Sequence, residues 1–371
     1  MPAAPVDSHM RLALDLAARA RAVCAPNPAV GCVLVDAGGQ VIGQGQTQAV
    51  GQAHAEVMAL RDAAVRGHSV VGATAYVTLE PCAHQGRTGP CCEALVAAGV
   101  GKVVASIQDP NPRVSGQGFA RLRAAGIEVQ VGSGAEESRE LNIGFFSRMR
   151  RGLPWVRMKA ASSLDGRTAL PNGASQWITS AEARADGHAW RARADVVLTG
   201  IGTVLDDDPR LDVRLDGVTR QPVLAIVDSQ LRTPLDARLW EVAARGVRIY
   251  GAVDDDARRR ALIERGAEVV LLPDAHGRVD LAALLRDLGG REVNEVHVEA
   301  GHRLNGALLR AQRVDELLLY QAPLLLGEGP GIAALGALDT LAEGWRFEWH
   351  EAQRVGPDLR LRARAPGCEE R

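Results

Sequence analysis

His54, Cys82 and Cys91, with Glu56 two positions after the histidine, are the residues of this chain whose types and spacing could do chemistry. One imidazole and two thiols make three protein donors for zinc and leave a fourth vertex for water. That is the catalytic pattern, since structural sites close with a fourth protein ligand. Zinc lowers the pKa of its water to about 7, so hydroxide is available at neutral pH. Glu56 lies within reach of that water, to take its proton and pass it to a leaving amine. A closed structural site would need one more donor, for which Cys92 and His84 are in range; Cys92 more simply packs behind Cys91.

The elements that must position these groups follow from the spacing. Residues i and i+2 do not share a helix face, so His54 and Glu56 belong at a helix N-terminus, and residues 57–64 are good helix sequence. A strand over 74–79 leads into Glu80-Pro81-Cys82. A second helix starts at Cys91, just after Pro90, where the N-terminal dipole favours a thiolate. His-x-Glu followed by Pro-Cys and a second cysteine matches the signature of zinc nucleobase deaminases.

At 371 residues the chain has room for two cores. A net charge of −2 and 4% aromatic residues speak against nucleic acid and anionic membranes as partners. They count against a polynucleotide-directed zinc deaminase with an appended nucleotide-binding domain, while a nucleoside-directed deaminase of that build stays as the alternative. Six scattered cysteines form no disulfide framework, so a reducing cytoplasm is expected. Neither a signal peptide nor an apolar run of spanning length is expected.

The first part reads as a helix over 10–22, a hairpin of strands at 30–35 and 40–43, the two helices and strand already named, a strand at 102–107, a short helix at 118–125 and a strand at 127–131. Alternating strands and helices imply an α/β/α sandwich. This order resembles the cytidine-deaminase-like fold. More narrowly, Pro26-Asn27-Pro28, His54-Ala55-Glu56, Thr78-Leu79-Glu80-Pro81-Cys82, Gly86-Arg87-Thr88, Cys91-Cys92 and Gln108-Asp109-Pro110-Asn111-Pro112 resemble the deaminase half of the bifunctional deaminase–reductases of riboflavin biosynthesis. The resemblance implies a small phosphoribosyl-pyrimidine substrate, with Asn27 and Asn111 on the pyrimidine edge and Arg87 on the phosphate.

Residues 141–154 read as a connector, placing the boundary near 150: a deaminase domain over 1–150 and a reductase domain over 151–371. The second part again alternates strands (155–160, 196–199, 223–228, 247–251, 268–272, 296–299, 316–320) with helices, a mostly parallel α/β domain. Gly200-Ile201-Gly202 lacks the third glycine of a dinucleotide fingerprint. Glu299-Ala300-Gly301 runs from a strand end into a helix, where free amides suit an anion. Lys159, Ser163-Leu164-Asp165-Gly166, Ser175-Gln176-Trp177, Thr203-Val204-Leu205-Asp206-Asp207, Asp228-Ser229 and Val298-Glu299-Ala300-Gly301 resemble the reductase half of the same family, whose fold is similar to dihydrofolate reductase and whose donor is NADPH. The resemblance implies cofactor contacts from Ala161, Trp177, Thr203, Asp207, Ser229 and the turn Gly301, His302, Arg303, Leu304, Asn305, Gly306 and Ala307. It implies substrate contacts from Ser175, Arg191, Leu211, Arg214 and Glu299, with Lys159 and Asp165 positioning or protonating the substrate. Arg191 and Arg214 suit a phosphate clamp, because guanidinium binds phosphate bidentately. A homo-oligomer is the base-rate expectation.

Overall fold

The computed structural model describes residues 6–83, 89–112, 114–218 and 220–369. The chain folds into two compact units, Met1–Arg151 and Gly152–Arg371.

The first unit runs α1 (Ser8–Ala20), β1 (Gly31–Val35), β2 (Val41–Gln46), α2 (Ala55–Val65), β3 (Thr74–Val77), α3 (Cys91–Ala97), β4 (Lys102–Ala105), α4 (Gln117–Ala124), β5 (Glu128–Val131), α5 (Ala135–Leu141) and α6 (Ile143–Arg151). Its five strands lie in the order β2-β1-β3-β4-β5. β1 is antiparallel to β2 and β3, whereas β3, β4 and β5 are parallel. Side chains alternate across the sheet. Cys32, Leu34, Ala75, Val77, Val103 and Ala105 face one core with α2, α3 and α4. Val33, Val35 and Val104 face the other, with Met10, Ala13 and Leu14 of α1. The result is an α/β/α sandwich.

The expected connector is largely helical. Ile143, Phe145 and Phe146 are buried in α6, and its arginines lie along these rings, Arg148 at 5.8 Å from Phe145 and Arg150 at 5.5 Å from Phe146. The apolar residues recur at helical spacing, and the guanidinium groups cover ring faces while staying solvated.

The second unit runs β6 (Trp155–Ser162), α7 (Ala181–Arg193), β7 (Val196–Gly200), α8 (Ile201–Asp207), β8 (Val223–Val227), β9 (Val247–Gly251), α9 (Asp256–Glu264), β10 (Ala267–Leu271), α10 (Leu281–Gly290), β11 (Glu295–Val298), α11 (His302–Arg310), β12 (Glu316–Gln321), β13 (Glu348–Val355) and β14 (Asp358–Arg364). The nine strands lie in the order β10-β9-β8-β7-β11-β6-β12-β14-β13. All pairs from β10 to β12 are parallel, and β14 and β13 close the edge antiparallel. That terminal hairpin is not foreseen from the sequence: β13 is charged, mostly exposed and without apolar alternation, and in β14 the alternation of Leu359, Leu361 and Ala363 is set among arginines. Val156, Met158, Val296 and Val298 face the leucines of α10 and α11. The intervening residues Arg157, Lys159 and His297 therefore point to the opposite face. Among the described residues no helix is long and apolar enough to cross a membrane.

Candidate functional site

Strand directions bring the first group together. The C-terminal ends of β2, β3 and β4 and the N-terminal end of β1 share one sheet edge, since β1 runs against its neighbours. The connections at that edge carry His54, Cys82, Asn111 and Asn27. Gly45 and Gly43 let α2 lie directly on β2: a Cβ on Gly45 would stand 2.4 Å from the Ala55 carbonyl oxygen, and one on Gly43 2.4 Å from that of Ala59. This close approach fixes where α2 begins, with His54 at its N-cap and Glu56 in its first turn.

His54 Nδ1 lies 3.2 Å from Cys91 Sγ and 3.7 Å from Cys82 Sγ, and the three donor atoms fall within 4.8 Å of one another. Zinc bonds of roughly 2.0–2.3 Å at tetrahedral angles space ligand atoms by roughly 3.5–4 Å, so this donor set fits the ion. The Cys91 amide donates to Cys82 Sγ at 3.4 Å and the Cys92 amide to the Cys82 carbonyl at 3.2 Å, joining the loop after β3 to the start of α3. A hydrogen bond from Cys91 holds the Cys82 thiol well below its ordinary value. Glu56 is buried, and burial pushes its carboxyl up to about 7, with the Cys82 sulfur adding to the rise and His54 opposing it. Cys92 packs in the hydrophobic core with Leu95 and Leu122, outside the metal-binding group, and so supplies no fourth ligand. His84 and Arg87 lie outside the described residues.

Two anchors of this edge carry no signal of their own in the sequence. The buried Glu80 carboxylate accepts four backbone N–H groups, from Asp109 at 3.2 Å, Gly116 at 2.9 Å, Gly118 at 2.9 Å and Phe119 at 3.3 Å. It thereby holds the segment bearing Asn111, whose own amide donates to Asp109 Oδ1 at 2.7 Å. Asn142 accepts the Ala29 N–H at 2.7 Å and donates to the Ala29 carbonyl at 2.9 Å, pinning the loop that bears Asn27.

In the second unit the parallel strands β8, β7, β11 and β6 end at one edge. Ala161 near the end of β6, Thr203 in α8, Ser229 after β8 and Gly301 after β11 lie there. Thr203 Oγ1 accepts the Gly301 N–H at 3.1 Å, tying the starts of α8 and α11 together. Ser229 Oγ accepts the Val279 amide at 3.2 Å, and Asp207 ends α8 on the surface. Trp177 is 66% exposed, with the Arg184 guanidinium 4.4 Å over its ring. Ser175 is half-buried in the same loop. An exposed apolar ring surface and amide-rich helix starts are each features that suit a dinucleotide. The run from 301 to 307 divides: Gly301 and Arg303 are exposed and His302 half-buried, whereas Leu304 lies against Gly200. Asn305 is buried and donates to the Ile332 carbonyl at 2.9 Å. A Cβ on Gly306 would meet the Ala334 carbonyl oxygen at 2.1 Å, so that glycine serves packing, and Ala307 is half-buried.

The expected substrate groups cluster on the α7 side of the sheet. Arg191 grips Glu299 with both arms of its fork, Nε to Oε1 at 2.5 Å and Nη2 to Oε2 at 2.8 Å, and its Nη1 donates to the Asp212 carbonyl. Burial works against the ionised Glu299, but Arg191, with His297 behind, holds its carboxyl well below the usual range. Arg191 is therefore already paired, whereas the Arg214 side chain is 57% exposed. Leu211 is buried at φ 50°, its carbonyl accepting from Arg245 at 3.1 Å. Burial, reinforced by Arg191, pushes the Lys159 ammonium down. Asp165 accepts from the Ser163 hydroxyl at 2.5 Å and the Gly327 amide at 2.7 Å, and these bonds hold its carboxyl down to about 2. The same carboxylate anchors the 326–327 turn, taking the Leu326 amide at 3.1 Å as well. Burial, then Arg191 and Arg214, hold the His188 imidazole down to about 4.

A model of the cytidine and deoxycytidylate deaminase zinc-binding region matches residues 5–107. A model of the RibD C-terminal domain matches residues 154–361. Riboflavin biosynthesis protein RibD of Escherichia coli (strain K12) is 46% identical, over 95% of this chain and 97% of its own length. The solved structure of Acinetobacter baumannii RibD is 41% identical with a TM-score of 0.86, covering 96% of this chain and 97% of that one. The Thermotoga maritima diaminohydroxyphosphoribosylaminopyrimidine deaminase/5-amino-6-(5-phosphoribosylamino)uracil reductase is 31% identical with a TM-score of 0.86, covering 96% and 98%. With both halves matched in order and a His/Cys/Cys zinc cluster at the expected edge, this chain belongs to the RibD family of bifunctional deaminase–reductases of riboflavin biosynthesis, which use zinc and NADPH.

Proposed function

We propose that this chain deaminates 2,5-diamino-6-ribosylamino-4(3H)-pyrimidinone 5′-phosphate and then reduces the product's ribosyl side chain to give 5-amino-6-ribitylaminouracil 5′-phosphate. The full-length likeness to RibD proteins favours this small substrate over a polynucleotide. Residues 1–150 carry the first step and residues 151–371 the second.

His54, Cys82 and Cys91 hold zinc, whose Lewis acidity makes water nucleophilic near neutral pH. Glu56 takes a proton as water adds to the amino-bearing ring carbon, then delivers it to the amine as the carbon–nitrogen bond breaks and ammonia leaves. Asn27 and Asn111 hold the pyrimidine edge, and Arg87 meets the phosphate. The observation that carries this reading is the His54–Cys82–Cys91 cluster with the buried Glu56 carboxylate in the first turn of the same helix. Glu56→Gln keeps the shape and removes the base. Ammonia release should fall by at least about a hundredfold, with zinc content by metal analysis unchanged. Retained ammonia release removes Glu56 from the reaction.

In the second unit, bound NADPH would supply the hydride for reduction at C1′, with opening of the ribose. Ala161, Trp177, Thr203, Asp207, Ser229 and the amides at Gly301, His302 and Arg303 receive the dinucleotide. Lys159, desolvated beside Arg191 and Glu299, is the group suited to hold and move a proton there. Ser175, Leu211, Arg214 and the Arg191–Glu299 pair line the substrate side. A homo-oligomer in a reducing cytoplasm completes the proposal, in keeping with six cysteines that form no disulfide.

A further inference from the structure

Among the described residues between α8 and β8 there is neither helix nor strand, yet three consecutive backbone positions in this segment are each held by a side chain. The Asp212 carbonyl accepts from Arg191. Val213 exchanges two hydrogen bonds with the Gln221 amide, 2.7 Å at its N–H and 3.0 Å at its carbonyl. The Arg214 N–H points at His188 Nδ1, 3.3 Å away. Arg191 and His188 stand one turn apart on α7, so one helix face grips both ends of a three-residue strap. The strap presents the Arg214 guanidinium, which lies 2.5 Å from Asp212 Oδ1 with its side chain 57% exposed.

The chemistry of the His188 contact leaves a single protonation state. Arg191 Nη1 also lies 3.3 Å from His188 Nδ1, and both it and the Arg214 amide can only donate. Nδ1 must therefore be a lone-pair acceptor, and the ring is the neutral tautomer with hydrogen on Nε2. The charged groups around the ring are Arg191 on its own helix, Asp212 and Arg214 on the strap, and Glu299 after β11.

We infer that His188 is a positioning residue of the reductase: through Nδ1 it ties the strap to α7 and so sets where the Arg214 guanidinium meets the substrate's phosphate. This rests on the proposed contact of Arg214 with that phosphate. The test follows NADPH oxidation by the full-length protein, with the deaminated product in its 5′-phosphorylated and dephosphorylated forms. His188→Ala raises KM for the phosphorylated form about tenfold, with kcat within about twofold and the KM of the dephosphorylated form unchanged. His188→Asn, whose Oδ1 takes the place of Nδ1, brings that KM back to within about threefold of the parent, whereas His188→Gln, which mimics Nε2, does not. Arg214→Ala is the reference. If it leaves KM for the phosphorylated form unchanged, the phosphate reading itself falls. If it raises that KM while His188→Ala does not, or while His188→Asn is no better than His188→Ala, the role of His188 alone is overturned.

Discussion

Glu56 and Glu80 are both buried carboxylates of the first unit, and they differ in how each could be read from the sequence. Zinc chemistry needs a particular set of residue types in a particular order, so His54, Glu56, Cys82 and Cys91 stand out before any fold is known. Glu80 acts on backbone amides some thirty to forty residues away, and nothing about those amides is written in their side chains. Asn142, holding Ala29, and His188, holding Arg214, are hidden for the same reason. Removing Glu80 leaves three buried N–H groups and the half-buried one of Gly116 without their acceptor. At about 1 kcal/mol or more apiece, Glu80→Ala should cost roughly 3–5 kcal/mol. Calorimetry should show the first unit unfolding at a lower temperature by roughly 6–20 °C, while the second unit's transition stays in place. An unshifted first transition would mean that these bonds contribute little.

Elements were legible where apolar periodicity decided them and opaque where packing or charge did. Most strands of both sheets, the β13–β14 hairpin excepted, announce themselves by apolar runs, and the α2 start follows from the His-x-Glu spacing. The helix α6 was hidden by its arginines, although Ile143, Phe145, Phe146 and Met149 mark its buried side. The contact between α2 and β2 is invisible for a different reason, since it is made by absent side chains. Gly45 allows Ala55 and Ala59 to close on the strand, and a Cβ there would stand 2.4 Å from both the Ala55 oxygen and the Ala59 nitrogen. Backbone at that distance cannot yield without moving the helix, and moving the helix moves His54. Gly45→Val should therefore weaken zinc retention about tenfold or more, read by competition with a chelator, as expected when the support of a metal ligand is disturbed. Gly38→Ala, whose added Cβ would meet the Asp36 side chain at 3.3 Å rather than a helix backbone, should leave zinc retention unaltered. Equal behaviour of the two variants would show that α2 is held by something other than this contact.

The chain as a whole carries a convenient asymmetry: all six tryptophans, from Trp155 to Trp349, belong to the second unit. Tryptophan fluorescence therefore reports the unfolding of that unit alone. Its sheet encloses a charged cluster on the face opposite the leucine core. Glu316 is wholly buried, 2.9 Å from Arg157 Nε, 2.9 Å from Arg362 Nε and 3.4 Å from Arg364 Nε, and Glu295 meets Arg157 at 2.7 Å. The Trp190 ring lies 4.5 Å from the Arg157 guanidinium and 4.9 Å from that of Arg362. Burial opposes the ionised Glu316, yet Arg157 and Arg362 overcome it and hold the carboxyl below its ordinary 4.5. A folded-state pKa depressed in this way contributes stability that is present above the unfolded value and lost as pH falls through the folded one. Glu316→Gln keeps the shape but removes the carboxylate that three guanidinium groups share, leaving Arg157 to Glu295, Arg362 to Glu351 and Arg364 to Glu369, so at pH 7 it should cost roughly 2–3 kcal/mol in denaturant unfolding followed by tryptophan emission. Because the Gln variant does not titrate, the gap between it and the parent should hold from pH 7 to about 5 and narrow below about 4.5, as the parent protonates with unfolding. A gap independent of pH across that range would assign the loss to packing around β12 rather than to charge.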